Sequence, residues 1–201
     1  MKGYYFITGS FLSRLGNVSD VKNALKAGVK IVQYREKNAA TYEMYIEALK
    51  LRKICKDIIF LINDRVDIAL ASGADGVHLG QSDLPYRMAR KLLGKKKIIG
   101  VTVHSLKEAK VAQAKGADYV GIAPIFPTST KPDARNPVGI ELIQEIKKHI
   151  NLPIVAIGGI NLSNAKEVIA SGANCVCAIS AVVASKNVKR QINKFQKMFN
   201  A

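Results

Sequence analysis

Four stretches of this chain are variants of one short pattern. They read Ala27-Gly-Val-Lys-Ile-Val-Gln, Ser72-Gly-Ala-Asp-Gly-Val-His, Lys115-Gly-Ala-Asp-Tyr-Val-Gly and Ser171-Gly-Ala-Asn-Cys-Val-Cys. Such internal similarity restricts the fold strongly, because each copy should build the same supersecondary unit. In each copy a glycine precedes a small residue, a polar residue and a β-rich run. The glycine suits a helix C-terminus, where a left-handed backbone meets no Cβ penalty. The run after it suits a buried strand.

Apolar runs at 4–8, 58–63, 98–101 and 154–157 supply further strands. Helical patterns at 21–25, 42–54, 66–71 and 140–146 fill gaps between them. Ser105-Leu-Lys-Glu108 reads as a capping box. The total is eight strands alternating with helices over 201 residues. Strict alternation predicts a parallel sheet covered by helices. Eight such units predict a single-domain α/β protein over residues 1–201, a (β/α)8 TIM barrel. A doubly wound open sheet would need a glycine-rich loop after the first strand, and Thr8-Gly-Ser-Phe-Leu-Ser is not one.

Charge narrows the partners. There are 31 Lys+Arg against 15 Asp+Glu, a formal net charge of +16. Nucleic acid is one reading of that excess. Against it, the lysines are spread along the chain, aromatics make up only 6% and Trp is absent. At the C-terminal end Val188, Ile192, Phe195 and Phe199 recur at helical spacing, with Lys189, Arg190, Lys194 and Lys197 largely on the other face. Small polyanionic substrates fit the charge, and no nucleic-acid partner is expected. No apolar run reaches the roughly 18 residues of a membrane span. The short apolar stretch after Lys2 is broken by Gly3, Thr8, Gly9 and Ser10, so no secretory leader is expected. Three cysteines cannot all pair, which points to a reducing, cytoplasmic setting. A homo-oligomer stays open.

In a barrel of this kind the chemistry sits where strands end. Gln33, Arg35 and Lys37 follow the second strand with period two, so one face presents an amide and two cations. Two cations aimed together suit a phosphate or diphosphate. Asn63-Asp64 and Asp83 follow the third and fourth strands, and two carboxylates with substrate phosphates suit magnesium. Each carboxylate could instead cap the next helix. Thr102 and His104 follow the fifth strand, and His104 is the one candidate acid/base histidine. Thr128-Ser129-Thr130-Lys131 opens a polar stretch, 128–137, that suits a lid. Gly158-Gly159 and Ile179-Ser180 follow the last two strands, where such barrels often bind phosphate through backbone N–H groups. Cys175 and Cys177 read as packing, His149 as surface and His78 as a hydrogen-bonded structural residue.

Together these segments resemble the thiamine phosphate synthase family nearly end to end. The resemblance rests on Gln33-Tyr-Arg-Glu-Lys37, Asn63-Asp-Arg-Val-Asp67, Ala74-Asp-Gly-Val-His-Leu-Gly-Gln81 with Asp83, Ala117-Asp-Tyr-Val-Gly121, Pro124-Ile-Phe-Pro-Thr-Ser-Thr-Lys131, Ile157-Gly-Gly-Ile160 and Ile179-Ser-Ala181. It implies a transferase that joins 4-amino-5-hydroxymethyl-2-methylpyrimidine diphosphate to a thiazole phosphate with Mg2+. It implies that Gln33, Tyr34, Arg35, Glu36, Lys37, Asn63 and Lys131 hold the pyrimidine diphosphate. Arg35, Lys37 and Lys131 would be the catalytic cations, and Asp64 and Asp83 would bind the metal. Thr128, Ser129, Thr130, Gly159, Ile179 and Ser180 would hold the thiazole phosphate. Thr102 stands where the family usually has Ser, and its hydroxyl can still donate to the pyrimidine diphosphate. A thiazole tautomerase of the same superfamily would lack these carboxylates and use a histidine such as His104. A non-catalytic phosphate-binding or nucleic-acid-binding barrel is the reading from a different class.

Overall fold

Alternating strand and helix patterns become a ring of parallel strands wrapped in helices. The computed structural model describes residues 1–130 and 135–199. Along the chain run β1 (Gly3–Tyr4), β2 (Phe6–Ile7), α1 (Asn17–Lys26), β3 (Ile31–Tyr34), α2 (Thr41–Ile54), β4 (Ile59–Asn63), α3 (Val66–Ser72) and β5 (Gly76–Leu79). Then come α4 (Tyr86–Leu93), β6 (Ile98–Val103), α5 (Leu106–Ala114), β7 (Tyr119–Ile122), α6 (Glu141–His149) and β8 (Ile154–Ile157). Last are α7 (Ala165–Ala170), β9 (Cys175–Cys177), α8 (Ile179–Val183) and α9 (Val188–Lys197).

The sheet order is β1-β9-β8-β7-β6-β5-β4-β3-β2, with every pair parallel. Its two edges, β1 and β2, are consecutive in the chain with only Tyr5 between them. The Tyr5 N–H reaches the Val176 carbonyl at 3.0 Å, and the Thr8 N–H reaches the Gln33 carbonyl at 3.0 Å. Nine strands thus form a nearly closed barrel in which the run expected at 4–8 serves two neighbours in turn. Strand tilt explains the split: one end of that run is in register with β9 and the other with β3. β6 also runs past the expected 101 to Val103, because Thr102 and Val103 pair with Gly121 and Ile122.

The sequence repeat has a physical meaning here. Its glycines, Gly28, Gly73, Gly116 and Gly172, follow α1, α3, α5 and α7 with φ of 78°, 68°, 87° and 111°. In three of the four copies its polar residue ties down the start of the preceding strand. Asp75 Oδ2 accepts from the Phe60 N–H at 2.8 Å, Asp118 Oδ2 from the Ile99 N–H at 2.8 Å, and Asn174 Oδ1 from the Ile154 N–H at 2.9 Å. Arg52 and Arg90 hold Asp75 and Asp118 in turn. The period of two divides the apolar residues into two cores. Tyr5, Ile7, Ile31, Leu61, Tyr119, Val155, Cys175 and Cys177 fill the barrel, while Tyr4, Phe6, Val32, Phe60, Ile62 and Val120 meet the helices. Both cysteines expected to pack do so, and the α9 residues Val188, Ile192 and Phe195, with Phe199 beyond, are buried as expected. No described helix is long and apolar enough to cross a membrane.

Candidate active site

Above the interior core the strand ends open into a cavity of about 380 Å3. Gln33, Arg35, Lys37, Asn63, Asp64, Asp83, Thr102, Thr128, Thr130, Gly159, Ile179 and Ser180 all line it. They come from segments up to about 150 residues apart, so only barrel closure brings them together. Tyr34 and Glu36 are not in the wall. Alternation turns them outward: Tyr34 is buried against the helix layer, and Glu36 accepts from the Ser10 hydroxyl and the Lys37 and Asn38 N–H groups. Ser129 is not in the wall either, while Thr128 and Thr130 flank it there. Lys131 lies outside the described residues.

Asp64 is held in an uncommon backbone state. Its φ is +60°, the only positive φ on a non-glycine among the described residues. The Arg65 N–H closes on the Asn63 carbonyl at 2.7 Å, which makes a three-residue turn with Asp64 at its apex. Such strain persists where the surroundings over-determine it, and it clusters at working sites. Asp64 pairs with Lys37 across the strand ends. Neither carboxylate is a helix cap: the N-cap positions of α3 and α4 are Arg65 and Pro85, with no side-chain cap bond. Asp83 instead accepts from the Gly80 N–H at 2.6 Å. Burial raises the Asp83 carboxyl above its ordinary range, and the adjacent Asp64 raises it further. Two carboxylates pressed together in this way fit a divalent cation. Among the described residues no cluster of three or more His, Cys, Asp or Glu forms a self-sufficient metal site. A cation here would therefore draw its other ligands from phosphate oxygens or water.

The floor holds a residue that sequence reading assigned only a structural part. His78 lines the cavity and bonds Tyr119 through Nδ1 and Thr102 through Nε2, each at 2.8 Å. Burial pushes its imidazole down to about 4. The unfolded chain should protonate near the ordinary 6.5, so acid favours unfolding between these values. We expect stability to fall as pH drops from about 6.5 to about 4, by at most about 3 kcal/mol at 1.36 kcal/mol per pH decade. Urea midpoints across that range check this, and His78→Gln should have a flatter profile. A wild-type profile no steeper than the variant's would contradict it.

His104 also lines the cavity, with Nδ1 against the Ala123 carbonyl. The expected capping box is present in altered form. Ser105 Oγ accepts from the Glu108 N–H at 3.2 Å, but Glu108 returns its bond to the His104 N–H rather than to that of Ser105. Glu108 also pairs with Arg135 at 3.8 Å. Arg135 is a cavity cation that the sequence reading passed over, although it sits inside the stretch read as a lid. Gly158 and Gly159 have φ of 102° and 64°. A Cβ on either would lie 2.5 Å from Pro124 Cβ or the Pro127 carbonyl, so the loops after β7 and β8 seat against each other only through glycine. His149 is exposed, as expected.

The sequence profile of the family described as thiamine monophosphate synthase matches residues 4–182. A thiamine-phosphate synthase from Methanosarcina barkeri is 53% identical over 193 residues, covering 96% of this chain and 88% of the relative. One from Methanosarcina mazei is 52% identical over 193 residues, covering 96% of this chain and 80% of the relative. The solved thiamine phosphate pyrophosphorylase of Pyrococcus furiosus superposes with a TM-score of 0.91 at 40% identity, covering 98% and 95% of the two chains.

Proposed function

The chain belongs to the thiamine monophosphate synthase family, and from that premise we propose that it is a transferase making thiamine phosphate. Its substrates are then 4-amino-5-hydroxymethyl-2-methylpyrimidine diphosphate and 4-methyl-5-(2-phosphoethyl)thiazole, and diphosphate is released. One observation carries the reading. Two cations, Arg35 and Lys37, and two carboxylates, Asp64 and Asp83, converge in one cavity from the ends of β3, β4 and β5.

The reaction asks little of a protein base. An electron-rich aminopyrimidine can expel diphosphate and leave a stabilised cation, and the thiazole nitrogen captures it with its own lone pair. What the site must supply is stabilisation of the departing negative charge. Arg35 and Lys37 would supply that, and Lys131 would add to them. Asp64 and Asp83 would hold Mg2+, which supplies further charge neutralisation on the diphosphate when bound. Gln33 and Thr102 would hold the pyrimidine end, with Asn63 beside the diphosphate. Thr128, Thr130, Gly159, Ile179 and Ser180 would hold the thiazole phosphate. Closing the 128–137 stretch would keep water from the cation. The three cysteines are free and buried, which fits a reducing compartment such as the cytoplasm. The excess positive charge would favour approach of the two phosphorylated substrates.

The test is an assay with both substrates and Mg2+, reading thiamine phosphate as its fluorescent oxidation product, with a metal-free control. We expect metal-dependent product. The Lys37 side chain is 46% exposed, so water screens it, and Lys37→Ala should cost about tenfold in kcat. No product from verified substrates would sink the synthase reading.

A further inference from the structure

A chain of four hydrogen bonds crosses the barrel floor beneath the cavity. Gln33 Nε2 donates to Tyr5 Oη at 2.8 Å, Tyr5 Oη meets Tyr119 Oη at 2.8 Å, Tyr119 Oη meets His78 Nδ1 at 2.8 Å, and His78 Nε2 meets Thr102 Oγ1 at 2.8 Å. Both ends, Gln33 and Thr102, are cavity residues. The middle members, Tyr5, Tyr119 and His78, come from three separate segments; Tyr5 and Tyr119 are buried and His78 is partly buried.

The floor is shaped for these rings. A Cβ at Gly100 would lie 2.0 Å from Tyr119 Cζ, and one at Gly121 would lie 2.9 Å from His78 Cε1. The His78 and Tyr119 rings stack in the space so left, with centroids 5.4 Å apart and planes 28° from parallel.

Donor counting gives the chain a direction. An amide NH2 can only donate, so Tyr5 Oη accepts from Gln33. Tyr5 is 1% exposed, and its own proton has one acceptor among the described residues, the Tyr119 oxygen. A buried O–H left without an acceptor costs about 1–3 kcal/mol. Tyr5 therefore donates to Tyr119, and Tyr119 donates to His78 Nδ1. Nδ1 is thus an acceptor and carries no proton, so the ring's one proton is on Nε2 and goes to Thr102 Oγ1. That oxygen then has its own proton left for whatever enters the cavity. At the other end, Gln33 spends one Nε2 proton on Tyr5, which fixes the amide's orientation and leaves Oε1 as an acceptor.

We infer that Tyr5, Tyr119 and His78 are positioning residues that fix the polarity of the cavity floor, presenting Gln33 as an acceptor and Thr102 as a donor, and so select an aminopyrimidine over its oxo counterpart. The selection rests on the synthase reading for what the cavity holds; the chain itself does not. An aminopyrimidine carries an amine to donate and ring nitrogens to accept. Replacing the amine by a carbonyl turns a donor into an acceptor facing Gln33 Oε1. An amide free to flip would tolerate either form, whereas one held by Tyr5 would not. A site built for one hydrogen-bond pattern rejects its mismatch far more strongly than an apolar pocket rejects a change of size.

Two measurements test this. The first is 15N NMR of His78 at pH 7, assigned by its loss in His78→Gln. We expect Nδ1 unprotonated in the native chain and a mixture of tautomers in Tyr119→Phe. The second is calorimetric binding of the 4-amino and 4-oxo forms of 5-hydroxymethyl-2-methylpyrimidine monophosphate, which needs no turnover. We expect the native chain to prefer the amino form, and Tyr5→Phe to cut that preference about tenfold. Tyr119→Phe, which leaves the Gln33–Tyr5 bond in place, should cut it less. A protonated Nδ1 in the native chain would overturn the direction of the chain. An unchanged preference in Tyr5→Phe, or no binding of either form to the native chain, would overturn the selectivity role. Failure of the synthase assay alone would leave both measurements readable.

Discussion

Asp64→Asn is expected to lower kcat/KM for thiamine phosphate formation by about 100- to 1,000-fold with the fold intact. The size is that of removing one preorganised charge-stabilising group from a site whose main task is to offset developing charge. Asparagine is the informative replacement. Asp64 sits at φ +60°, a region asparagine tolerates and alanine does not. The change therefore removes charge and leaves the three-residue turn in place. It also relieves Asp83, whose carboxyl the neighbouring Asp64 helps to raise, and it leaves Lys37 without its ion-pair partner. Little stability is at stake, because half-exposed ion pairs contribute about 0–1 kcal/mol. Asp64→Ala should show the same loss of rate with an added backbone cost of roughly 1–2 kcal/mol. Steady-state kinetics across a magnesium titration, with thermal melts of both variants, separates the two effects. Near-normal turnover of Asp64→Asn at moderate magnesium would remove Asp64 from the site.

The largest effect on folding is expected at Gly76. A Cβ there would lie 1.8 Å from the Ile98 carbonyl oxygen and within 2.7 Å of the Ile98 C and N atoms. These are backbone atoms of the register partner in β6, so no side-chain rotation can relieve the contact. Gly76→Ala must push β5 from β6 in the middle of the barrel wall. We expect a loss of about 3–5 kcal/mol, at the severe end for a point substitution. In a chain of this size that lowers Tm by about 10–15 °C. Gly73→Ala is the contrast. An added methyl there would meet nothing within 4 Å, and only the φ of +68° resists the change. Its cost should be nearer 1 kcal/mol. A melt of Gly76→Ala within about 2 °C of the native chain would show that the two strands can separate without penalty.

Much of the site was legible because β-structure alternates. The period-two triad Gln33, Arg35 and Lys37 lines the cavity, and the same alternation takes Tyr34 and Glu36 out of it. Those two entered the candidate set through the family resemblance, which spans the whole segment and does not distinguish its faces. The carboxylates Asp64 and Asp83 were legible as strand-end residues. Their contact was not, since it depends on β4 and β5 pairing with Asn63 opposite His78. His78 illustrates the limit well. Its hydrogen bonding was foreseen, but its partners Tyr119 and Thr102 lie 41 and 24 residues away in the chain.

The sequence by itself determined the alternation of strand and helix, the glycines that end alternate helices, and the face of each strand that looks inward. These are local properties, set by φ preference and by a period of two or 3.6 residues. The tertiary structure alone decided which inward residues meet. Closure through Tyr5, together with the tilt of the strands, sets the height at which each side chain enters the barrel. That geometry put Tyr5 against Tyr119, Asp64 against Asp83 and Arg135 in the cavity wall, contacts that depend on the sum of many strand offsets and on no single segment of the chain.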